Sequence, residues 1–511
     1  MNIKDYIIPI FFSVIMTAVI QRYFFNRQLN VMMDGAAVSL NVNCDMTKPL
    51  RFDLAFDEYD ATILEERSLI STAWGDIQFS SEGASISHIQ AKPGKALSVV
   101  VETFDSINKG SNDFHNFLIG FDNDILAPYQ FKLNYCEQEK NLYRIGYSAE
   151  NKNVRVIKEF QVDKERPIIS LNMTVIPLRK ISLVPYLRMY GPSYDSGSHV
   201  VMIPYQGTEL KKELASQIYD KHFCLSTPKL VGIDNTYFIH ALFKHNPENL
   251  ARSYFHMNAK YVALTMQFIP VEEEKTFHVS FYMGPKDLEM LRLVDDRLEQ
   301  SLDYHGWFAM LSKFLLIILK YLYKYCGNYG IAIIILTFLM KILLLPFTIN
   351  SERNMQQQKE LQKKMAYLQT KYKNNPEQLK YEQAMLIRKY GLPSLGGCLP
   401  MILQIPFFFA LSRLLTYAIE LYKAPFFWIS DLSAPDRWYI LPILVFVSML
   451  VTAVNADEKQ QLALIAMAIV FGGITASLAS GLALYFIANA LFNVFQSWII
   501  KWWSARKVAL P

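Results

Sequence analysis

The apolar residues of this 511-residue chain form long runs near the N terminus and in the last third, with short alternating runs between them. A run of about 20 apolar residues is long enough to cross a bilayer as a helix. The long runs therefore predict an N-terminal anchor and a membrane α-helical bundle of five spans. They lie at residues 6–20, 329–349, 399–419, 439–454, 462–477 and 480–500.

The first run predicts an anchor within residues 1–28 that stays in the mature protein. Gln21, Arg22 and Tyr23 follow it, and these bulky residues do not form the small-residue site at which a signal peptide is cleaved.

Residues 29–285 have a different pattern, in which short runs of alternating or β-branched apolar residues are separated by turn-forming pieces such as Pro93-Gly94. Strands that follow one another without long helices between them are typical of an all-β sandwich. The clearest predicted strands lie at residues 97–104, 154–162, 168–178, 261–270 and 277–283.

Residues 286–327 are predicted to link the sandwich to the helical core at 328–501. Residues 286–300 predict one charged helix, and residues 307–325 predict an amphipathic helix with a stripe formed by Lys313, Lys320 and Lys324. An apolar helix with a basic stripe is typical of the membrane interface. Burial of this helix in a soluble domain is the alternative.

The segment 350–392 is polar and predicts two helices that break at Asn374-Asn375-Pro376. It carries nine lysines and arginines against four glutamates. The positive-inside rule therefore places this hairpin in the cytoplasm, together with the basic tail at 502–511. The β region is then periplasmic in a bacterial inner membrane. Around the first span the rule fails, with Lys4 before it and Arg22 and Arg27 after it.

The overall composition agrees with a membrane protein that carries a large soluble insert. The chain is 52% hydrophobic and 19% charged, with a net charge of +5. Enzyme signals are weak. No pair of cysteines has C-x-x-C spacing, and no glycine-rich phosphate loop is present. His240 and His245 lack partners at zinc-site spacing, and the proline in Ser226-Thr227-Pro228-Lys229 disrupts the helix that an S-x-x-K site needs.

Lys341 is the only charge in the apolar stretch 331–348. At about 1.5 Å per residue it lies roughly 15 Å into a hydrocarbon core about 30 Å thick. A lysine there costs about 2.5 to 3.5 kcal/mol even on the lenient insertion scale, so it is expected to face a polar cavity. No Asp or Glu lies within the five predicted spans.

Polar side chains form stripes on three of the predicted spans. Their convergence predicts a hydrophilic groove that contains Lys341, whereas helix-to-helix hydrogen bonding in a dry bundle is the alternative. The residues that we expect to line the groove are Lys341, Thr337, Gln404, Ser412, Tyr485 and Asn489. Thr348, Thr416, Asn493, Gln496 and Ser497 extend the same stripes.

Several segments of the last third resemble the YidC family of membrane protein insertases. Their order and spacing match over about residues 307–501. The β region is similar only in size, position and predicted class. The segments are 328–330 (NYG), 336–341 (LTFLMK), 346–348 (PFT), 395–400 (LGGCLP), 404–406 (QIP), 428–433 (WISDLS), 439–442 (YILP) and 480–485 (SGLALY).

The resemblance implies a five-helix insertase core with a groove that opens to the cytoplasm and to lipid and is closed toward the periplasm. It implies insertion and folding of nascent membrane proteins, alone or with the Sec translocon, without nucleotide or cofactor. Lys341 departs from the family, which usually has arginine there, and lysine lacks the bidentate fork. Apolar side chains on the third and fifth spans, with the N-terminal anchor counted as the first, are expected to guide apolar client segments: Ile402, Met467 and Phe471. Packing within the bundle is the alternative role of these three residues.

Three questions stay open at this stage. The basic hairpin is suited to contact with ribosomal RNA or with anionic lipid headgroups. A solute channel or transporter that uses Lys341 as an anion site is the main alternative function, although broken paired helices and internal repeats are not evident. An intramembrane hydrolase is the third class, and it lacks a positioned nucleophile and base.

Overall fold

The computed structural model describes residues 54–58, 65–91, 115–122, 125–192, 198–204, 207–215, 224–225, 227–257, 261–302, 309–373, 376–390, 399–454 and 458–508. The predicted anchor and the predicted strand at 97–104 lie outside these residues. The chain divides at residue 303 into a β unit, which ends there, and a helical unit, which begins at Tyr304. Each unit is described by itself.

The β unit contains seventeen described strands in three antiparallel sheets. The prediction of an all-β region is confirmed. The strands are β1 (Arg67–Ser71), β2 (Gly75–Ser80), β3 (Ser85–Ala91), β4 (Leu118–Phe121), β5 (Lys132–Gln138), β6 (Leu142–Glu150), β7 (Val154–Asp163), β8 (Ile168–Pro177), β9 (Pro185–Tyr190), β10 (His199–Ile203), β11 (Lys211–Leu214), β12 (Cys224–Leu225), β13 (Leu230–Asp234), β14 (Phe238–His245), β15 (Leu250–Met257), β16 (Val262–Phe268) and β17 (Lys275–Pro285).

The largest sheet has the order β11-β10-β13-β14-β17-β8-β7-β6-β5, a second has β12-β15-β16-β9-β4, and β1 to β3 form the third. Strands β7 and β8 alternate between buried and half-buried positions, as expected for strands that cover a core on one face. One hydrophobic core joins side chains from all three sheets, including Ile77, Phe160 and Leu264.

Lys158 on β7 is completely buried in this core. Its Nζ donates hydrogen bonds to the carbonyl oxygens of Gly83 and Phe117, each at 2.6 Å, and of Ala84 at 3.3 Å. All three acceptor residues have positive φ angles. The lysine thus holds two turns in left-handed conformations, and burial lowers its pKa to about 7.

The segment after β17 contains two short helices, α1 (Leu288–Val294) and α2 (Asp296–Glu299), so the prediction of one helix at 286–300 was wrong. Asp295 breaks the helix, because its backbone is extended and its side chain accepts a hydrogen bond from the N–H of Arg297 as an N-cap.

A buried ionic cluster fastens this segment to the large sheet. The Nζ of Lys286 lies 2.7 Å from the carboxylate of Asp234, which is completely buried at the end of β13. Lys212 of β11 lies 3.3 Å from the same carboxylate and also donates to the carbonyl oxygen of Ser301. Burial by itself would raise the pKa of the Asp234 carboxylate. The neighbouring Lys212, Lys286 and His199 have a larger, opposite effect, so the pKa is lowered to about 2.

The helical unit contains seven described α-helices. They are α3 (Ala309–Cys326), α4 (Tyr329–Lys371), α5 (Pro376–Tyr390), α6 (Leu399–Tyr417), α7 (Ile440–Val454), α8 (Glu458–Thr475) and α9 (Ser480–Val508).

Helix α4 runs without interruption from the first predicted span into the polar hairpin. The hairpin contains two helices, as predicted, because α4 ends at Lys371 and α5 begins at Pro376. Among the residues that the structure describes, none of these helices combines the length and the apolar composition required to cross a membrane. The five membrane spans therefore stay a prediction.

One end of the helical unit is closed by the connection between α6 and α7. Its Leu421, Phe426, Ile429 and Leu432 are buried, and Asp431 and Asp436 accept hydrogen bonds from backbone N–H groups of the same connection and of α7. The beginnings of α4 and α9 meet this connection. The ring of Phe426 lies where a side chain at Gly330 would be, and Gly481 donates its N–H to the carbonyl oxygen of Leu432.

Candidate functional site

Helices α4 and α9 begin at the same closed end and run in the same direction. Asn328 starts α4 by accepting hydrogen bonds from the N–H groups of Gly330 at 2.8 Å and Ile331 at 3.3 Å. At about 1.5 Å per residue, Lys341 lies roughly 18 Å along α4 and Asn493 roughly 20 Å along α9. The polar stripes of the two helices are therefore in register.

A recess lies between α3, α4, α6 and α9. Apolar side chains from α3, α4 and α6 form most of its wall, and polar side chains from α4 and α9 complete it. The lining residues are Leu315, Thr337, Met340, Lys341, Leu344, Phe407, Leu411, Tyr485 and Asn489.

Lys341 is half-buried in this wall, and its Nζ donates a hydrogen bond of 3.0 Å to Oδ1 of Asn493. A neutral amide oxygen orients the ammonium without neutralising it. The hydroxyl of Thr337 instead donates to the carbonyl oxygen of Ile333 in its own helix, at 2.8 Å.

Four of the six predicted groove residues line the recess together: Thr337, Lys341, Tyr485 and Asn489. Ser412 is buried on α6 next to the lining residue Leu411 but does not line the recess itself. The side chain of Gln404 lies outside the described part of the chain. The recess is also more apolar than the predicted hydrophilic groove, since five of its nine lining residues are Leu, Met or Phe.

Met467 and Phe471, two of the three residues that we expected to guide apolar segments, are not among the residues that line the recess. Phe471 on α8 packs edge-on against Phe486 of α9 at 5.2 Å between ring centroids. Met467 is half-buried on the same helix, and the side chain of Ile402 is not among those described. Their guiding role stays a prediction.

Two features of the site were missed from the sequence. Leu315 brings α3 into the wall of the recess, and no local pattern distinguishes it from the other leucines of that helix. Glu420, directly after α6, forms an ion pair of 2.8 Å with Lys320 of α3. Lys320 therefore contacts the bundle. The exposed large hydrophobic residues of α3 are Met310, Phe314, Ile317, Tyr321 and Tyr325.

The sequence comparisons agree with this division of the chain. Residues 128–318 match the family described as "YidC periplasmic domain", and residues 321–507 match "60Kd inner membrane protein". The "Membrane protein insertase YidC" of Syntrophobacter fumaroxidans (strain DSM 10017 / MPOB) is 32% identical over 384 residues, which are 68% of this chain and 68% of the relative. This chain belongs to the YidC family. The resemblance found in the sequence is thereby confirmed.

Other YidC relatives align over a smaller part of their length. The "Membrane protein insertase YidC" of Syntrophus aciditrophicus (strain SB) is 34% identical over 361 residues, 67% of this chain and 65% of the relative. That of Geobacter sp. (strain M21) is 41% identical over 234 residues, 45% and 44% of the two chains. The chain thus aligns with less than two thirds of these two relatives.

A crystal structure described as "Active YidC insertase crystal structure with the first transmembrane domain resolved" is also similar to this chain. It covers 85% of this chain and 93% of its own, at 16% identity and a TM-score of 0.38.

Proposed function

We propose that this protein inserts and folds membrane proteins in the bacterial inner membrane, and that the recess around Lys341 receives the polar part of the client. The observation that carries the proposal is the position of Lys341. A charged side chain in the otherwise apolar stretch 331–348 of α4 lines a recess with Tyr485 and Asn489, and the amide of Asn493 orients it. Membership of the YidC family supports the same function.

The physical role of the recess follows from the cost of moving polar groups through hydrocarbon. A client's polar segment must cross the membrane core before its apolar spans can settle in lipid. A recess that reaches partway into the core shortens the apolar path. Lys341 attracts acidic residues of the segment, while apolar client spans leave sideways into lipid.

We also propose that the helical unit lies in the membrane, with the hairpin and the C-terminal tail in the cytoplasm and the β unit in the periplasm. Support comes from the apolar side chains that α7 exposes along one face, including Ile443, Leu444 and Val447. The net positive charge of residues 350–392 supports the orientation. The closed end of the helical unit then faces the periplasm.

The partners that this placement implies are nascent membrane proteins, the Sec translocon, the ribosome and membrane lipids. The hairpin formed by the polar half of α4 and by α5 is the surface on which ribosome or nascent-chain contact is expected, because residues 350–392 carry nine lysines and arginines against four glutamates. Deleting residues 355–389 should therefore reduce insertion in cells. Unchanged insertion by the deletion variant would remove the hairpin from the mechanism.

The most direct test of the function is depletion of the protein followed by pulse-labelling of small clients with one or two spans. The clients should remain uninserted, and re-expression of the wild-type chain should restore them. Normal insertion after depletion, together with loss of the flux of an anionic solute, would favour the transporter alternative.

The recess has its own test. Single cysteines at Thr337, Lys341, Tyr485 and Asn489, in a background without the native cysteines, should react with a membrane-impermeant thiol reagent from the cytoplasmic side. Gln404 belongs in the same series, because its predicted place in the groove is untested. Reaction only from the periplasmic side would overturn the orientation, and no reaction from either side would favour a dry bundle.

A further inference from the structure

The closed end of the helical unit exposes a group of aromatic side chains, here called the aromatic collar. It consists of Tyr325, Phe427, Trp428, Trp438 and Tyr439. Phe427 is 85% exposed, and Trp438 and Tyr325 are each 71% exposed. In the described part of the β unit, the exposed large apolar residues are four leucines, and none is aromatic. Among the described residues, exposed large aromatic side chains are therefore a feature of the helical unit, and the collar is the group at its closed end.

Three separate contacts bring the collar residues to one level. Asn328, three residues after Tyr325, donates a side-chain hydrogen bond of 3.1 Å to the carbonyl oxygen of Pro425. Phe426 packs over Gly330, which directs its neighbour Phe427 outward. Asp436 accepts a hydrogen bond of 2.8 Å from the N–H of Leu441 and so fixes Trp438 and Tyr439 at the start of α7.

The backbone that displays the collar is strained and fixed. Lys423, Phe427 and Tyr439 have φ angles of 54°, 49° and 56°, although none is glycine. Such conformations cost about 1 to 3 kcal/mol each and persist only where the surroundings hold them. Here the N–H of Lys423 donates to Asp431, and Phe426 and Ile429 exchange two backbone hydrogen bonds. A rigid display of exposed rings indicates a surface that is used.

The charges beside the collar are positive. Lys324, Lys423 and Arg437 are exposed, whereas the carboxylates of Asp431 and Asp436 are occupied by backbone N–H groups and Glu420 is paired with Lys320. Trp and Tyr concentrate at the boundary between lipid headgroups and acyl chains. Basic side chains at that level complement anionic headgroups.

We propose that the aromatic collar lies in the headgroup region of the outer leaflet of the inner membrane and that Lys423 and Arg437 bind anionic phospholipid there. The occupant is lipid, because the apolar exposed face of α7 continues directly from Trp438 and Tyr439 through Ile443 and Val447. The collar thereby sets the depth of α4 and α9, and with it the depth of Lys341. This inference rests on the membrane placement proposed above.

The test uses the full-length protein reconstituted in bilayers whose lipids carry bromine at a shallow or a deep position of the acyl chain. The chain has seven tryptophans, and six are replaced by phenylalanine to leave Trp428 or Trp438 alone. Shallow bromine should quench either residue more strongly than deep bromine. Trp74, which is 3% exposed in the β unit, serves as the unquenched control.

A second control separates this inference from the membrane placement. Val447→Trp in the tryptophan-free background lies about 10 Å further along α7 than the start of the helix and should be quenched more by deep bromine. If Val447→Trp is quenched while Trp428 and Trp438 are not, the collar proposal fails and the membrane placement stands. If none of the three is quenched, both fail.

The charge of the collar is tested with spin-labelled lipids. The double variant Lys423→Gln/Arg437→Gln should lower the preference for phosphatidylglycerol over phosphatidylcholine by roughly five-fold for each charge removed. An unchanged preference would overturn the assignment of these two side chains. Disulfide-linked dimers of a Trp438→Cys variant, together with unquenched Trp438, would instead assign the collar to contact with a second copy.

Discussion

The β unit and the helical unit present opposite surfaces. Among the described residues, the β unit exposes four large hydrophobic side chains and the helical unit exposes 29. A protein surrounded by water rarely exposes apolar side chains in continuous faces, whereas hydrocarbon imposes no such restriction. The two units are therefore suited to different surroundings, which agrees with the proposal that water surrounds the β unit and hydrocarbon surrounds the helical unit.

The interiors of the two units differ as well. The β unit buries Asp234 against two lysines and Lys158 against three carbonyl oxygens, so that its buried charges serve folding. The helical unit holds Lys341 at the wall of a recess, where its Nζ donates a hydrogen bond to the amide oxygen of Asn493. We interpret the first kind of charge as structural and the second as functional.

The largest loss of stability is expected from breaking the buried ionic cluster of Asp234 in the β unit. Asp234→Leu leaves Lys286 and Lys212 without the carboxylate, and loss of one partner of a buried pair costs about 3–5 kcal/mol. Hydrogen exchange of β10, β13 and β14 should show the corresponding loss of protection. Glu150→Leu is the control, because that carboxylate is 58% exposed and its pairing is worth about 0–1 kcal/mol. Equal protection in Asp234→Leu and the control would contradict a structural role.

The same cluster should make the stability of the β unit depend on pH in the acid range. Because the pKa of Asp234 is lowered to about 2 in the folded protein, its stabilisation is complete above its ordinary value near 4. It is lost as the pH falls through about 2.

Lys158 should give a pH dependence on the alkaline side. With a folded pKa of about 7 and an ordinary value of 10.5, the unfolded chain binds more protons between these limits. The free energy of unfolding should therefore rise with pH, by about 4 kcal/mol between pH 7 and pH 10. Lys158→Met should lack this rise. The free energy of unfolding is measured against pH for the wild type and the variant through the fluorescence of Trp74. Parallel profiles would show that the buried amine does not titrate between pH 7 and pH 10.

A matched pair of substitutions tests the difference between the two surfaces. Val447→Lys introduces a charge on the exposed face of α7 and should cost about 2.5–3.5 kcal/mol if that face contacts hydrocarbon. Leu69→Lys, at a leucine that is 72% exposed on β1, should change stability by no more than about 0.5 kcal/mol. The fraction of newly made protein that resists alkaline extraction from membranes measures the first effect. Equal tolerance of both lysines would mean that the two surfaces have the same surroundings.

Sequence patterns predicted the β unit well where strands are regular. The alternation at residues 154–162 and 168–178 corresponds to β7 and β8 within one residue. The helix predicted at 286–300 was wrong because two adjacent aspartates, Asp295 and Asp296, allow a new N-cap within the charged run. A cap of this kind depends on one backbone conformation, which periodicity does not encode.

In the candidate site, phase along a helix predicted the contacts that lie on one stripe. Lys341, Tyr485 and Asn489 meet because α4 and α9 begin at the same end. The ion pair between Lys320 and Glu420 was not predictable, since the two residues are 100 positions apart and helix phase says nothing about which helices are neighbours. The place of Leu315 in the wall of the recess was not predictable for the same reason.

The central claim is that the charge of Lys341 acts on polar client segments. It is tested most directly by protease protection of two clients, one with an acidic and one with a neutral translocated tail, inserted by Lys341→Arg and Lys341→Met variants. Lys341→Arg should insert both clients, because the charge is kept. Lys341→Met should insert the neutral-tailed client normally. Its insertion of the acidic-tailed client should fall about five- to thirty-fold, which corresponds to an attraction of roughly 1–2 kcal/mol. Equal insertion of both clients by Lys341→Met would contradict the claim.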